Sequence, residues 1–193
     1  MNRLCSFICG FCLVFFGLLF PAGTKADVRD KKTVMTISAP TKIPGANAVL
    51  PAGTYVIKLL DLAGNRSVVQ IFNDREDKIY ATVLAIPNYR LKPNGKSEFS
   101  FWETPSGQAP ALRSWFYPGD AYGIEFAYQR KAATEIARSS NQNVPTVYSE
   151  SEKPADLTKA RIAATTPQGK EAELSKDVYS EATAKNPSES AKK

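Results

Sequence analysis

Short apolar runs closed off by turn residues constrain this chain more than any other feature. Between Asp27 and Lys131 there are seven of them: Thr33 to Ser38, Thr54 to Leu60, Ser67 to Phe72, Lys78 to Ile86, Glu98 to Glu103, Leu112 to Tyr117 and Tyr122 to Tyr128. β-Branched and aromatic residues fill the runs, and each is bounded by Pro, Gly, Asn or Asp, as at Pro51-Ala52-Gly53 and Pro118-Gly119-Asp120. Helical periodicity is absent from this stretch, so the pattern predicts an all-β fold, an antiparallel β-sandwich with a small β-barrel as the alternative.

Alternation predicts which residues face inward. Phe99 and Phe101, then Leu112, Ser114 and Phe116, then Ile124, Phe126 and Tyr128 fall at period two. Met35, Ile37, Tyr55, Ile57, Val69, Ile71, Ile79 and Val83 join this inward set. Trp102, Arg113, Trp115, Tyr117 and Glu125 then point the other way. The run Lys78 to Ile86 is apolar on both phases, which predicts a central strand buried on both sides and stopped by Pro87.

Apolar density divides the chain. Residues 27–131 hold 35 large apolar or aromatic side chains in 105 positions, whereas residues 132–193 hold nine in 62. So sparse a supply does not offset the entropy of ordering a chain. The expected organisation is a β domain over 27–131 and a polar, mostly disordered extension over 132–193. Within the extension a short helix at Lys131 to Ser139 and a hairpin around Thr166-Pro167-Gln168-Gly169 are the only predicted elements.

At the other end, Arg3 precedes 17 residues without charge, Leu4 to Phe20. A basic start, an apolar stretch and small residues at Thr24 and Ala26 describe an export signal over 1–26, cleaved after Ala26. An uncleaved membrane anchor is the alternative, because 17 residues reach the short end of the roughly 17–25 that span a bilayer. In the cleaved form the protein is exported, periplasmic or extracellular, and membrane contact arises only through an uncleaved leader. All three cysteines (Cys5, Cys9 and Cys12) fall in the leader.

The chain contains no histidine. Catalysis by Ser-His-Asp triads, Cys-His pairs or His-ligated zinc is therefore excluded. With cleavage the cysteines go as well, along with thiol chemistry. No cofactor is called for. Formal charge falls from +6 to +4 when Arg3 and Lys25 leave, and scattered single charges without basic runs give no nucleic-acid signature.

Few chemical constellations remain. Glu98, Glu103 and Glu125 lie on neighbouring runs, and two facing carboxylates would suit glycoside hydrolysis. Solvated sheet carboxylates are the plainer reading. The acidic turns Asp61 to Asn65 and Asn73 to Asp77 offer oxygen ligands without a calcium-loop pattern, and Arg75 opposes a cation, so no metal site is expected. Asn65-Arg66-Ser67 is a chance glycosylation sequon if the host is a bacterium. Trp102, Trp115, Tyr117 and Tyr122, bordered by Arg113, form the expected ligand-binding set: an aromatic face for sugar rings, an apolar ligand or a partner protein if exposed.

Leu50-Pro51-Ala52-Gly53-Thr54-Tyr55, Val69-Gln70-Ile71-Phe72-Asn73, Tyr80 to Pro87 and Ala111-Leu112-Arg113-Ser114-Trp115-Phe116-Tyr117-Pro118-Gly119-Asp120 resemble motifs of a functionally uncharacterised family of small exported β-rich proteins of soil bacteria, chiefly acidobacterial. The resemblance covers about residues 33–175. It implies an exported β domain with a variable tail and carries no catalytic residues. The expected function is a non-catalytic cell-envelope β-module acting in binding or as a structural element, with an envelope glycan or another envelope protein as partner. A carboxylate-based glycan hydrolase and a carrier of an apolar ligand are the alternatives.

Overall fold

Thr33, Met35 and Ile37 are buried and Lys32, Val34 and Thr36 exposed in the first strand, Lys32–Ile37 (β1). This is the alternation of a strand with one face on a core. A computed structural model describes residues 31–45, 49–63 and 66–174. The expected leader, Asn65 and the last nineteen residues, 175–193, lie outside the described residues.

β1 pairs with Gly53–Ala63 (β4), and the ladder continues through Arg66–Asn73 (β5) and Ile79–Tyr89 (β6), antiparallel throughout. Tyr122–Phe126 (β9) follows on β6, then Ala111–Phe116 (β8), with Glu98–Trp102 (β7) also on β8. The two-residue strands Thr41–Lys42 (β2) and Val49–Leu50 (β3) complete a nine-stranded sheet ordered β1-β4-β5-β6-β9-β8-β2-β3, with β7 beside β8. All seven runs read from the sequence are strands.

A second sheet contains Tyr128–Gln129 (β10), Val144–Tyr148 (β11), Arg161–Thr165 (β12) and Glu171–Ala172 (β13). β10 and β11 are parallel, and the helix Arg130–Ser140 (α1) crosses between them. The short helix Pro154–Leu157 (α2) precedes β12. The molecule is thus mostly β, built on two sheets, and the large sheet does not close into a barrel.

β5 and β6 explain how the layers stack, because both are apolar on both phases. Val69, Ile71, Val83 and Ala85 face the main cluster, which also holds Met35, Ile57, Trp102, Leu112, Trp115 and Phe126. Val68 and Leu84 face the opposite way, into a second cluster with Ala127, Val147, Leu157 and Ala160. The doubly buried central strand expected at Lys78 to Ile86 is therefore present.

Three expectations are corrected. Pro87 does not stop β6: it pairs with Ile124, and the strand runs on to Tyr89. Pairing with β5 ends at Ala85, so beyond it β6 has, among the described residues, a neighbour on one side only, where a residue without an N–H forfeits no ladder bond. Ile79, placed in the inward set, is 50% exposed; the register shift between Ile71 and Phe72 moves it out of phase with Ala81 and Val83. The boundary near Lys131 falls inside α1, and over 132–174 the polar part forms strands and helices. Ala133, Ile136, Ala137 and Val144 belong to the main cluster. Alanine is the physical reason: Ala133, Ala137, Ala160, Ala163 and Ala164 are buried but add nothing to a count of large apolar side chains. The predicted helix and hairpin are both present, the latter turning at Gly169 (φ +74°), whose N–H donates to the Thr166 carbonyl at 2.8 Å.

Candidate functional site

The β7–β8 hairpin distributes the expected ligand-binding residues. Phe99 faces Trp115 and Ser100 faces Ser114, but the register then shifts so that Phe101 faces Leu112 and Trp102 faces Ala111. Arg113 is the extra residue, a β-bulge that re-aims its side chain. Trp102 and Trp115 are 2% and 3% exposed, whereas Phe101, expected inside, is 40% exposed. The aromatic outer face is therefore corrected: β8 is covered on both sides, and alternation cannot assign faces to such a strand. Both indole N–H groups are buried without an acceptor among the described residues, a cost of roughly 1–3 kcal/mol each.

The five residues separate into three places. Trp115 stacks on Phe99 (centroids 6.3 Å apart, planes 11° apart) and meets partly buried Tyr117 edge-on. Tyr122 meets Tyr89 edge-on at 5.4 Å. Arg113 lies with its guanidinium 4.2 Å from the Trp102 ring centroid.

The sequence placed Arg113 and Glu125 on the same face, and the structure joins them. Arg113 Nε donates to Glu125 Oε1 at 3.0 Å, and Nη1 donates to Gln142 Oε1 at 3.2 Å. Asn88 Nδ2 donates to the second Glu125 oxygen at 3.4 Å. Asn88 and Gln142 carry no local signal that would have assigned them to this cluster. Burial pushes the Glu125 carboxyl above the usual carboxylate range, outweighing the opposing pull of Arg113. Glu98 belongs to a different arginine: Arg90 Nη1 donates to it at 2.9 Å and Asn94 Nδ2 at 2.7 Å. Glu103 is exposed past the end of β7.

A raised carboxyl value in the folded state means that folding takes up a proton. Stability from Glu125 is full at low pH and is lost as pH rises through its folded value. Urea midpoints of wild type and Glu125→Gln, measured as a pH series, should show wild type gaining on the variant as pH falls toward the ordinary carboxylate value. A constant difference would contradict the assignment.

Asn73, Glu76 and Asp77 of the acidic turn already have partners. Asn73 Oδ1 accepts the Asp77 and Lys78 N–H groups, both at 3.1 Å, and Glu76 pairs with Lys32 and Lys58. No group of three potential metal ligands of His, Cys, Asp or Glu type occurs among the described residues. Tyr117 to Asp120 is also structural. Pro118-Gly119 (Gly119 φ +80°) occupies the centre of a turn in which Asp120 N–H donates to the Tyr117 carbonyl at 3.2 Å, the pairing a type II turn demands.

A cleft of about 250 Å³ opens where β2 and β3 meet α1. Ile43, Tyr128 and Ile136 line it as apolar surface, and Lys42, Lys131 and Glu135 supply the charge. The Tyr128 hydroxyl is committed to the Leu112 carbonyl at 2.6 Å, and Lys42 approaches Glu135 at 4.0 Å. Lys131 has no ion-pair partner among the described residues. Sequence reasoning missed this site, since β2 reaches it through a pairing with Ala111, far along the chain. No family model, no curated protein and no solved structure matches the chain.

Proposed function

We propose that this chain is a non-catalytic, exported module of the cell envelope that binds an acidic glycan in the cleft between β2, β3 and α1. The observation that carries the reading is the cleft's lining: two lysines against one carboxylate above the apolar surface of Ile43, Tyr128 and Ile136. Sugar rings pack a C–H face on apolar surface, and lysines complement a uronate or similar acid. The separate pairing of Glu98 with Arg90 and of Glu125 with Arg113 supports the non-catalytic part, because an acid and nucleophile must share one substrate.

Calorimetry of the chain from Asp27 to Lys193 with oligogalacturonate and with neutral maltooligosaccharide tests this. Binding of the acidic oligomer alone is expected, with loss of about tenfold in affinity for Lys42→Glu/Lys131→Glu, in which like charges face the ligand. Equal binding of the neutral oligomer, or none by wild type, would overturn it.

A glycan hydrolase is the second reading, favoured by the raised Glu125 carboxyl, a property general acids need. Release of reducing ends from the same oligomers, abolished by Glu125→Gln, would establish it. A carrier of an apolar ligand draws less support, since Trp102, Leu112, Trp115, Phe126 and Tyr128 fill the interior of the large sheet.

A further inference from the structure

The loop between β6 and β7 exposes a leucine between two anchored residues, Arg90 and Asn94. Leu91 is 90% exposed, and every residue from Leu91 to Lys96 is on the surface. Yet the loop is anchored at both ends. Arg90 N–H donates to the Ala121 carbonyl at 2.9 Å, its Nε to the Asp120 carbonyl at 2.9 Å, and its guanidinium lies 4.9 Å from the Phe116 ring centroid. The Asn94 carbonyl accepts Gly119 N–H at 2.7 Å, and Asn94 Oδ1 accepts Lys96 N–H at 3.0 Å.

Basic residues outnumber acidic ones in and beside this loop. Lys31, Arg90, Lys92 and Lys96 stand against Asp120 and Glu98 at this end of the sheet. Asp120 is taken by Lys31 and Glu98 by Arg90, which leaves Lys92 and Lys96 without ion-pair partners among the described residues. At the base of the loop, Tyr89 and Tyr122 pair edge-on on the last rung of β6 and β9. An exposed leucine, two lysines without ion-pair partners among the described residues and a tyrosine pair at the base of the loop are the residue types met at a bilayer interface.

We propose that this loop is a contact site for the surface of an anionic lipid bilayer, separate from the cleft. Lys92 and Lys96 meet headgroup phosphates while Leu91 enters the acyl boundary. A polyanionic glycan would satisfy the lysines but gives Leu91 nothing to enter, so the leucine selects the lipid. Fixing the loop beforehand removes the ordering cost that a mobile segment would incur on contact.

Co-sedimentation of the chain from Asp27 to Lys193 with phosphatidylglycerol–phosphatidylcholine vesicles, and with phosphatidylcholine vesicles, provides the test. Binding to the anionic vesicles alone is expected, weakening as salt rises. Lys92→Gln and Lys96→Gln should each reduce it about fivefold, and Leu91→Ser about tenfold with the salt dependence unchanged. Absence of binding at low salt would overturn the proposal, as would Leu91→Ser binding like wild type, the result expected of a generic polyanion contact. Lys42→Glu/Lys131→Glu should bind vesicles normally, so the cleft reading and the bilayer reading fail independently.

Discussion

Ending the chain after Lys131 should abolish cooperative unfolding of the remaining β part. The cut passes through the first turn of α1 and removes Ile136 and Val144 from the main cluster together with Val147 and Leu157 from the second. At about 1.5–3 kcal/mol for each large buried side chain, these four alone account for roughly 6–12 kcal/mol, comparable to the whole stability of a typical domain. Val68 and Leu84, fully buried in the intact chain, would lose the partners that cover them. Circular dichroism during urea titration of the two chains, 27–193 and 27–131, decides the matter. A sharp transition in the shorter chain at the parent's midpoint would show that the β part is self-sufficient, contrary to this account.

Gly123→Ala should be strongly destabilising for a change that adds a single methyl group. Gly123 sits in β9 opposite Phe116. A Cβ built there would lie 2.4 Å from the nearest Phe116 ring carbon and 2.7 Å from the Trp115 carbonyl oxygen. The ring has little room to retreat, because Arg90 stacks on it, and the carbonyl is backbone in the neighbouring strand. Overpacking of this kind costs about 1–3 kcal/mol, and contact with backbone places it at the upper end. Urea denaturation of Gly123→Ala, Phe116→Ala and the double variant forms a cycle. A smaller penalty for Gly123→Ala in the Phe116→Ala background is expected. A neutral Gly123→Ala in the wild-type background would refute the steric argument.

The strands were legible because their signals are local. β-Branched runs and Pro-Gly turns specify an element within about six residues, the length of an ordinary strand. The common face of Arg113 and Glu125 was legible for a related reason: the two runs that carry them are neighbours in sequence, and successive strands tend to pair. The fates of Trp102 and Trp115 were not legible. A strand covered on both faces carries apolar side chains in both phases, so phase says nothing about exposure, and the bulge at Arg113 shifts the register further. The cleft was illegible as well, because Lys42 meets Ala111 in a parallel pairing across most of the β part. Burial of the segment after Lys131 was obscured by a measure that ignores alanine, although the close approach of a helix to a sheet favours small residues.

Both of the chain's tryptophans are buried in one cluster. Its indole emission therefore arises wholly from side chains held away from solvent. The wavelength of that emission follows the integrity of the main cluster, in which Trp115 lies against Phe99 and Tyr117 and Trp102 lies under the Arg113 guanidinium. A red shift on mixing with a ligand would report loosening of that core, whereas recognition confined to the cleft or the Leu91 loop would leave the colour unchanged. Neither indole belongs to the lining of the cleft or to the Leu91 loop.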